Sequence, residues 1–445
     1  SKSTSDPSPY PSTNSNSSNT FSNKSFNSND GKNRILSNRQ NRSSYSKGST
    51  NVILAQFLGK GTEGDAVLSF FLDRYEKDMD LSLTVRCEDK LRICTTIINS
   101  EQTDNNLAAI IAATSSSPPI PSSTELIEPS GTIQPNEVQE LRDSLKEMMV
   151  IGGAGPIVRG VCIMGSMPPG VPSSLYADLY RYIMSQQSSV SAPSGGGADA
   201  GVGVGPKAGA TTDLPLCLID SVVGLDHLFH EMNVNRNHAS SSKTNMLKIN
   251  MAELCKMTGT STTSMVYDVS NAEADAVRRA VSTLYTLFPE SREALDYVAV
   301  TNGIFPAYMV HVHKEPSYNN NKDVMYRFKV PMLSQLRSAA DDMGRGTASA
   351  TKLYTIGAGD AVAASTLAAW EYLNNRKEDQ RLDESIRASL LKRVVFGEDI
   401  ANTAFSFGLA CGTASCIERE NSVFDVPKAL QLFEQMERPQ KVKLT

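Results

Sequence analysis

The chain has 445 residues, of which 40% are hydrophobic and 20% charged, and its formal net charge is −5. These proportions are typical of a globular protein and exclude a chain that is disordered throughout. The small acidic excess supplies no field to hold a polyanion, so we expect no nucleic acid partner. No stretch approaches the roughly 20 apolar residues of a membrane-spanning helix, so we expect no membrane partner either.

The first 50 residues are half Ser or Asn and have few apolar side chains, so burial cannot offset the entropy of ordering them. We therefore expect a disordered tail over residues 1–50. The seven cysteines form no C-x-x-C pair, which favours core residues in a reduced compartment. The expected location is the cytoplasm, although the Ser-rich N-terminus is also compatible with organelle targeting.

Beyond the tail, short β-type runs alternate with helix-length periodic segments. This alternation predicts an α/β fold, a doubly wound sheet with helices on both faces. The predicted strands are 52–57, 161–164, 216–219, 246–249, 297–301 and 308–313. The predicted helices are 136–149, 176–184, 272–287 and 361–373.

Two amphipathic runs, 81–86 and 91–99, are joined by a short polar turn and predict a β hairpin apart from the main sheet. An isolated two-stranded ribbon is marginal in water unless its apolar face is covered. We therefore expect Leu81, Leu83 and Val85 to face either a closed site or a partner subunit.

One large folded domain is expected over residues 51–437, followed by a C-terminal tail over 438–445. Within it, the Gly- and Ser-rich tract at about 186–212 predicts a flexible surface insertion.

The most informative segment runs from Thr355 through Gly357, Ala358 and Gly359 to Asp360, just before a helix. Glycines here leave backbone N–H groups free to face an anion, and the helix N-terminus adds partial positive charge. Asp360 stands where a carboxylate can accept a proton from an attacking hydroxyl. An ordinary tight turn with Asp360 capping the helix explains the pattern almost equally well.

A second segment places Lys248 and Asn250 at a strand end and Glu253 three residues later. On a first helical turn, the amide and the carboxylate share a face and can orient the waters of a magnesium ion. Taken alone, a capping box between Asn250 and Glu253 is the better explanation.

Two more strand ends carry candidate ligand contacts, Gly165-Ser166 before a proline-rich loop and Thr301 with Gly303. Open α/β sheets bind ligands at the carboxyl ends of their strands. A turn without a ligand is the alternative at each position.

Together these segments resemble the PfkB-type carbohydrate kinases of the ribokinase superfamily. Residues 355–360 resemble that family's T-x-G-A-G-D signature, and 248–253 resemble its K-P-N-x-x-E stretch, with Ile249 in place of Pro. Residues 165–170 resemble G-S-L-P-P-G, and 301–303 resemble T-x-G.

The resemblance implies a ribokinase-like fold with a small β lid, and ATP and Mg²⁺ as cofactors. It implies that Asp360 is the base and that the amides of residues 357–359 form the anion hole. Asn250 and Glu253 would hold magnesium through water, and Ser166 would contact the substrate. The other implied cofactor contacts are Lys248, Thr301, Gly303, Thr355 and Gly412.

Two matches narrow the branch to 1-phosphofructokinase and tagatose-6-phosphate kinase. Residues 124–131 resemble the T-E-x-N-x-P-G segment of hexose-phosphate kinases, and Arg92 resembles the arginine that binds the substrate's own phosphate. With Arg86, it is expected near that phosphate. The implied partner is a sugar phosphate, and a homodimer through the lid is a further expectation.

One departure leaves two functions open. The family begins with a strand that bears a sugar-binding Asp and a G-G-K-G motif, whereas this sequence has its Ser- and Asn-rich segment there. The first function is ATP-dependent phosphorylation of a hydroxyl on a sugar or sugar phosphate, with a ketohexose phosphate expected. The alternative is a catalytically impaired sugar- or nucleotide-binding protein.

Overall fold

The computed structural model describes residues 52–91, 94–98, 123–150, 158–190, 215–238, 243–260, 271–314, 323–331, 354–374, 383–418 and 420–442. The expected tail over 1–50, Arg92 and residues 191–212 of the expected insertion lie outside these ranges.

Every strand and helix predicted from the α/β pattern is present. The strands are β1 (Val52–Gly59), β2 (Met79–Cys87), β3 (Cys94–Ile98), β4 (Ser123–Ile127), β5 (Gly160–Met164), β6 (Leu216–Asp220), β7 (Thr244–Asn250), β8 (Tyr297–Thr301), β9 (Ala307–His311), β10 (Val324–Phe328) and β11 (Gln440–Lys441). The helices are α1 (Thr62–Tyr75), α2 (Pro135–Val150), α3 (Leu175–Val190), α4 (Leu225–His238), α5 (Met251–Thr258), α6 (Asn271–Leu287), α7 (Ser291–Ala294), α8 (Ala358–Asn374), α9 (Glu384–Val395), α10 (Ile400–Ser415) and α11 (Val426–Gln435).

In the described ranges, the main sheet has seven strands in the order β11-β10-β9-β8-β7-β6-β5. Strands β5 to β8 are parallel, and β8 to β11 pair antiparallel. The α/β prediction is therefore confirmed, with an antiparallel half added. Because β5 to β8 run in parallel, their carboxyl ends meet along one edge of the sheet.

Helices cover both faces of this sheet, because its central strands are apolar on both sides. Leu216 and Leu218 of β6 pack into a core with α8 and α10. Cys217 and Ile219 of the same strand pack into a second core with α3, α4 and α6. The continuous apolar run of β6 is thus explained by burial from two directions.

The predicted hairpin is wrong in its pairing. Strand β2 pairs in parallel with β1, and β3 pairs antiparallel with β4. The physical reason is the connection: helix α1 joins β1 to β2, and a parallel pair needs such a crossover. A two-residue period shows which side chains share a face but does not show which strand lies alongside.

The apolar face of β2 is covered by helices of this same chain. Leu83 and Val85 pack against α2, and Leu81 packs against α1, each with 2% or less of its surface exposed. The expected partner subunit is therefore not needed to cover these side chains. Strands β1 and β2 form a two-stranded sheet, called the small sheet below. Helix α2 also packs on α3, and this contact joins the small sheet to the main one.

Two expected boundaries also change. Helix α3 continues to Val190, so 186–190 are helical and do not belong to the insertion. Strand β11 lies within the expected C-terminal tail and pairs with β10. Among the described residues, no helix is both long enough and apolar enough to cross a membrane.

Substitution of Gly412 tests the close packing of α10 on α8. A Cβ at this position would lie 2.4 Å from Val362 Cγ2 and 2.9 Å from the carbonyl oxygen of Ala358. We expect Gly412→Ala to lower the free energy of unfolding by about 1–3 kcal/mol, because overpacking displaces the helices. Urea unfolding measures this loss.

The matched control for Gly412→Ala is Gly160→Ala, whose added Cβ would have the Leu367 side chain as its nearest neighbour, with Cδ1 at 2.8 Å. That side chain can rotate away, so the control should lose much less stability. Equal losses in the two variants would contradict the packing role of Gly412.

Candidate active site

The carboxyl edge of β5 to β8 gathers most of the predicted site residues. Ser166 follows β5, Lys248 and Asn250 lie in β7, and Thr301 ends β8 opposite Asn250. Asp220, at the end of β6, lies at the same edge, and it pairs with Met164 of β5. Asp220 was not among the predicted site residues.

Lys248 and Asp220 form a buried ion pair at this edge. Lys248 Nζ lies 2.7 Å from Asp220 Oδ2, and the two side chains are 4% and 15% exposed. Because β6 and β7 are parallel neighbours, the pair joins adjacent strands near the points where both end. The pair fixes the position of a cation beneath the segment 355–360.

The turn at 355–357 leads into α8 and lies directly beside this cation. A Cβ added at Gly359 would lie 3.5 Å from Lys248 Nζ. Gly357 has a φ of 79°, and a Cβ there would lie 2.4 Å from the hydroxyl oxygen of Ser422. Gly357 is thus required for both its backbone conformation and its close contact.

One of the three amides of the predicted anion hole makes a hydrogen bond within the turn. The amide of Ala358 donates to the carbonyl oxygen of Thr355 at 3.3 Å, so it is used within the turn. The amides of Gly359 and Asp360 belong to the first turn of α8, where no preceding helical carbonyl can accept them. These two amides, at the positive end of the helix, are better placed to bind an anion.

Asp360 is exposed, but the surrounding protein removes part of the hydration of its carboxylate. This desolvation raises the pKa of Asp360 above its ordinary value of 3.8, and repulsion from Asp220 raises it further. Attraction by Lys248 and the influence of the nearby Ser422 hydroxyl act in the opposite direction but are smaller. A carboxylate with a raised pKa is a stronger base, as proton abstraction requires.

Asn250 and Glu253 form the capping box that their spacing predicts. The Glu253 amide donates to Asn250 Oδ1 at 2.8 Å, and the Asn250 amide donates to Glu253 Oε2 at 3.2 Å. Both residues are exposed, and the box leaves Glu253 Oε1 unused. An amide and a carboxylate so placed fit a magnesium ion that keeps its waters, so the capping and metal roles are compatible.

The loops after β5 and β8 each make a hydrogen bond near the strand end and carry exposed residues. The Gly165 amide donates to the Asp220 carbonyl oxygen at 3.1 Å, and Ser166 is exposed. After β8, Asn302 donates to Glu273 Oε1 at 2.9 Å, beside exposed Gly303.

Three predicted contacts lie elsewhere or outside the described ranges. Gly412 is buried between α10 and α8, so the structure gives it a packing role, and its nucleotide contact stays a prediction. Arg86 donates to Asp65 Oδ1 at 2.5 Å and to the Gly59 carbonyl oxygen at 3.1 Å, which ties β2 to β1 and α1. Arg92 is not described, and its phosphate contact also stays a prediction.

Sequence reasoning missed two residues of the site, Asp220 and Ser422. Asp220 had a usable signal, since it is an acid that ends an apolar strand just before the strand of Lys248. Ser422 had no such signal, because 61 residues lie between it and Asp360 and it belongs to no motif.

A scan against protein-family models gives no match, and neither does a search of curated proteins. Among solved structures, the chain is similar to phosphofructokinase-2 from Escherichia coli, with 14% identity, coverage of 91% of this chain and 86% of that chain, and a TM-score of 0.46. A protein described as a possible 1-phosphofructokinase from Thermotoga maritima has 13% identity, coverage of 93% and 86%, and a TM-score of 0.46. Ribokinase from Giardia lamblia has 15% identity, coverage of 86% and 82%, and a TM-score of 0.45. These proteins are of the PfkB/ribokinase superfamily, which the sequence motifs resemble.

The raised pKa of Asp360 predicts a change in stability with pH. A carboxyl with a raised pKa favours folding below its ordinary value of 3.8 and loses that contribution as the pH rises through the folded-state pKa. We therefore expect Asp360→Asn to resist urea slightly better than the wild type at neutral pH. The two proteins should become equal below pH 3.8.

The matched control is Asp383→Asn at the N-terminus of α9. Hydrogen bonds from Ser385 lower the pKa of Asp383, so its removal should have the opposite sign. An Asp360→Asn variant that is less stable than the wild type at neutral pH would show that the Asp360 carboxylate is not destabilised in the fold.

Proposed function

We propose that this chain transfers the γ-phosphoryl group of ATP to a hydroxyl of a sugar phosphate, with a ketohexose phosphate as the expected acceptor. The observation that carries the proposal is the placement of three groups together. A buried cation, Lys248, lies beside the first-turn amides of α8, and Asp360 in that same turn has a raised pKa. Phosphoryl transfer depends on positioning and on stabilisation of the charge on the transferring group, together with a base that accepts the proton of the attacking hydroxyl.

We assign the catalytic roles of these residues from their positions around the first turn of α8. The amides of Gly359 and Asp360, together with Lys248, stabilise the charge that spreads over the transferring phosphoryl group. The Asp360 carboxylate accepts the proton of the attacking hydroxyl. Asp220 holds Lys248 in place and repels Asp360, which raises the basicity of that carboxylate.

A magnesium ion, when bound, neutralises charge on the nucleotide phosphates. Asn250 and Glu253 would orient its waters from the carboxyl end of β7, since both are exposed there. Thr301, Gly303 and Thr355 border the same edge and are the proposed nucleotide contacts. Ser166 is proposed on the substrate side, after β5.

The choice of a phosphorylated acceptor rests on the resemblance of 124–131 and of Arg92 to the hexose-phosphate kinases. Lys60, Lys90 and Arg86 lie near the end of β2 in the described part of the chain. Each of these cations is paired with a carboxylate, that of Glu88, Glu128 and Asp65 in turn, so support for a phosphorylated acceptor comes from the resemblance.

One observation favours the alternative, a binding protein with impaired catalysis. Within the described residues, β1 and β2 form a sheet of their own and make no ladder with the main sheet. An acceptor bound between two separate sheets would be oriented less rigidly against Asp360. The same assay decides between the two functions.

Asp360→Asn tests the proposal through turnover. We expect kcat to fall by about 10²- to 10⁴-fold, since loss of a general base has this size of effect. ATP affinity should change little, because the backbone amides and Lys248 remain. A coupled assay of ADP release, run with a panel of sugars and sugar phosphates, measures the rate, and calorimetry measures the affinity.

The control is Asp383→Asn, the same substitution at the start of another helix, which should keep wild-type turnover. Unchanged turnover in Asp360→Asn would remove Asp360 from the mechanism. A wild-type protein that binds ATP but releases no ADP with any acceptor would favour the binding function.

A further inference from the structure

The turn between β8 and β9 (residues 302–306), called the β8–β9 turn below, follows a strand end with a proposed nucleotide contact, Thr301. Because Thr301 pairs with Asn250 of β7, the turn begins next to the capping box at the start of α5. Two of its residues, Ile304 and Phe305, are 58% and 56% exposed. Packing therefore does little to fix this turn, and its position depends on hydrogen bonds.

A carboxylate on helix α6 holds the β8–β9 turn to the sheet. Asn302 Nδ2 donates to Glu273 Oε1 at 2.9 Å, and the hydroxyl of Tyr308 in β9 donates to Glu273 Oε2, also at 2.9 Å. Each oxygen of the carboxylate thus has a donor, one in the turn and one in a strand. Tyr308 is buried, and its strand is paired on both sides, so it is a fixed point to which Glu273 ties the turn.

The position of Glu273 in α6 lets it reach both donors. It lies in the first turn of this helix, whose apolar side packs into one of the two cores of the main sheet. The helix dipole favours a carboxylate in a first turn, and this general effect would explain an acid here without any contact to the β8–β9 turn. The two hydrogen bonds add a specific function, because bonds to an ionised acceptor are stronger than those between neutral groups.

We propose that Glu273 is a positioning residue of the nucleotide site, and that it holds the β8–β9 turn in place for ATP through Asn302. The inference rests on the proposed function in one respect, namely that ATP is the ligand beside the turn. The T-x-G motif leaves residue 302 open, so the family resemblance assigns no role to Asn302 or to Glu273. Their contact is an observation of the structure alone.

An exchange of the donor and the acceptor tests this contact. In Asn302→Asp, two carboxylates face each other, and their repulsion displaces the turn. In the double variant Glu273→Gln/Asn302→Asp, the amide at residue 273 donates to the carboxylate at residue 302, and its oxygen still accepts from Tyr308. The pair then carries one negative charge, as it does in the wild type.

We expect the KM for ATP to rise about tenfold in Asn302→Asp and to return to within about threefold of the wild type in the double variant. The value of kcat should stay nearly unchanged in both, because neither residue touches the reacting atoms. Calorimetry with ATP and magnesium should show the same changes in affinity. Hydrogen–deuterium exchange of the peptide 302–307 should quicken in the single variant and recover in the double variant.

Tyr308→Phe separates the turn contact from a general loss of stability. It removes the other hydrogen bond of Glu273 and leaves the bond to Asn302. We expect this variant to resist urea less well than the wild type and to keep its ATP affinity. An equal loss of ATP affinity in Tyr308→Phe and Asn302→Asp would overturn the proposal, since loosening of the fold would then explain both.

Two other results would also overturn the proposal. These are wild-type ATP affinity in Asn302→Asp, and a double variant that binds ATP no better than the single variant. If the wild type binds no ATP, the proposed function fails, and the exchange measurement still decides the role of Glu273. Recovery of slow exchange in the double variant would support its hold on the turn, and equal exchange in all three proteins would contradict it.

Discussion

The site depends on the buried ion pair between Lys248 and Asp220. Taking each charge out of water costs several kcal/mol, and only good geometry, such as the 2.7 Å contact here, offsets that cost. A buried pair is therefore an inefficient way to stabilise a fold, since apolar side chains of the same volume often do as well. Its position at the carboxyl ends of β6 and β7 gives it a different use. It fixes a cation beside the first turn of α8, and it brings a carboxylate close enough to raise the pKa of Asp360.

The rest of the molecule keeps that turn in place from three sides. Below it are the ends of the parallel strands, which are fixed by the register of β5 to β8. Behind it, Gly412 lets α10 approach the start of α8 closely. Beside it, the loop that carries Ser422 is anchored through Glu420 to Arg74 on α1. Because α1 joins the two strands of the small sheet, this exposed ion pair is a contact between that sheet and the loop beside the reactive turn.

Much of the fold could be predicted from sequence, since buried strands such as β6 are apolar on both faces and helices such as α6 have a clear period. The turn before Asp360 was also predictable, because its glycines and its helix stand together in the chain. The partner of β2 was not, since alternation identifies a face and leaves the neighbouring strand open. Ser422 reaches the site only through tertiary packing, so local patterns could not assign it, whereas the position of Asp220 at the end of an apolar strand was a usable signal. The spacing of Asn250 and Glu253 fitted both a capping box and a metal site, and the structure shows the box.

The central claim is that Lys248 is held at a site for nucleotide phosphates. The most direct test compares the affinities for ATP and AMP of the wild type and the double variant Lys248→Met/Asp220→Asn, which leaves no buried charge unpaired. Calorimetry in magnesium should show that the double variant loses about tenfold or more in ATP affinity, because a hydrogen bond to a charged group is lost. AMP affinity should be nearly unchanged. Equal losses for the two nucleotides, or no loss for ATP, would contradict the placement of the phosphates beside Lys248.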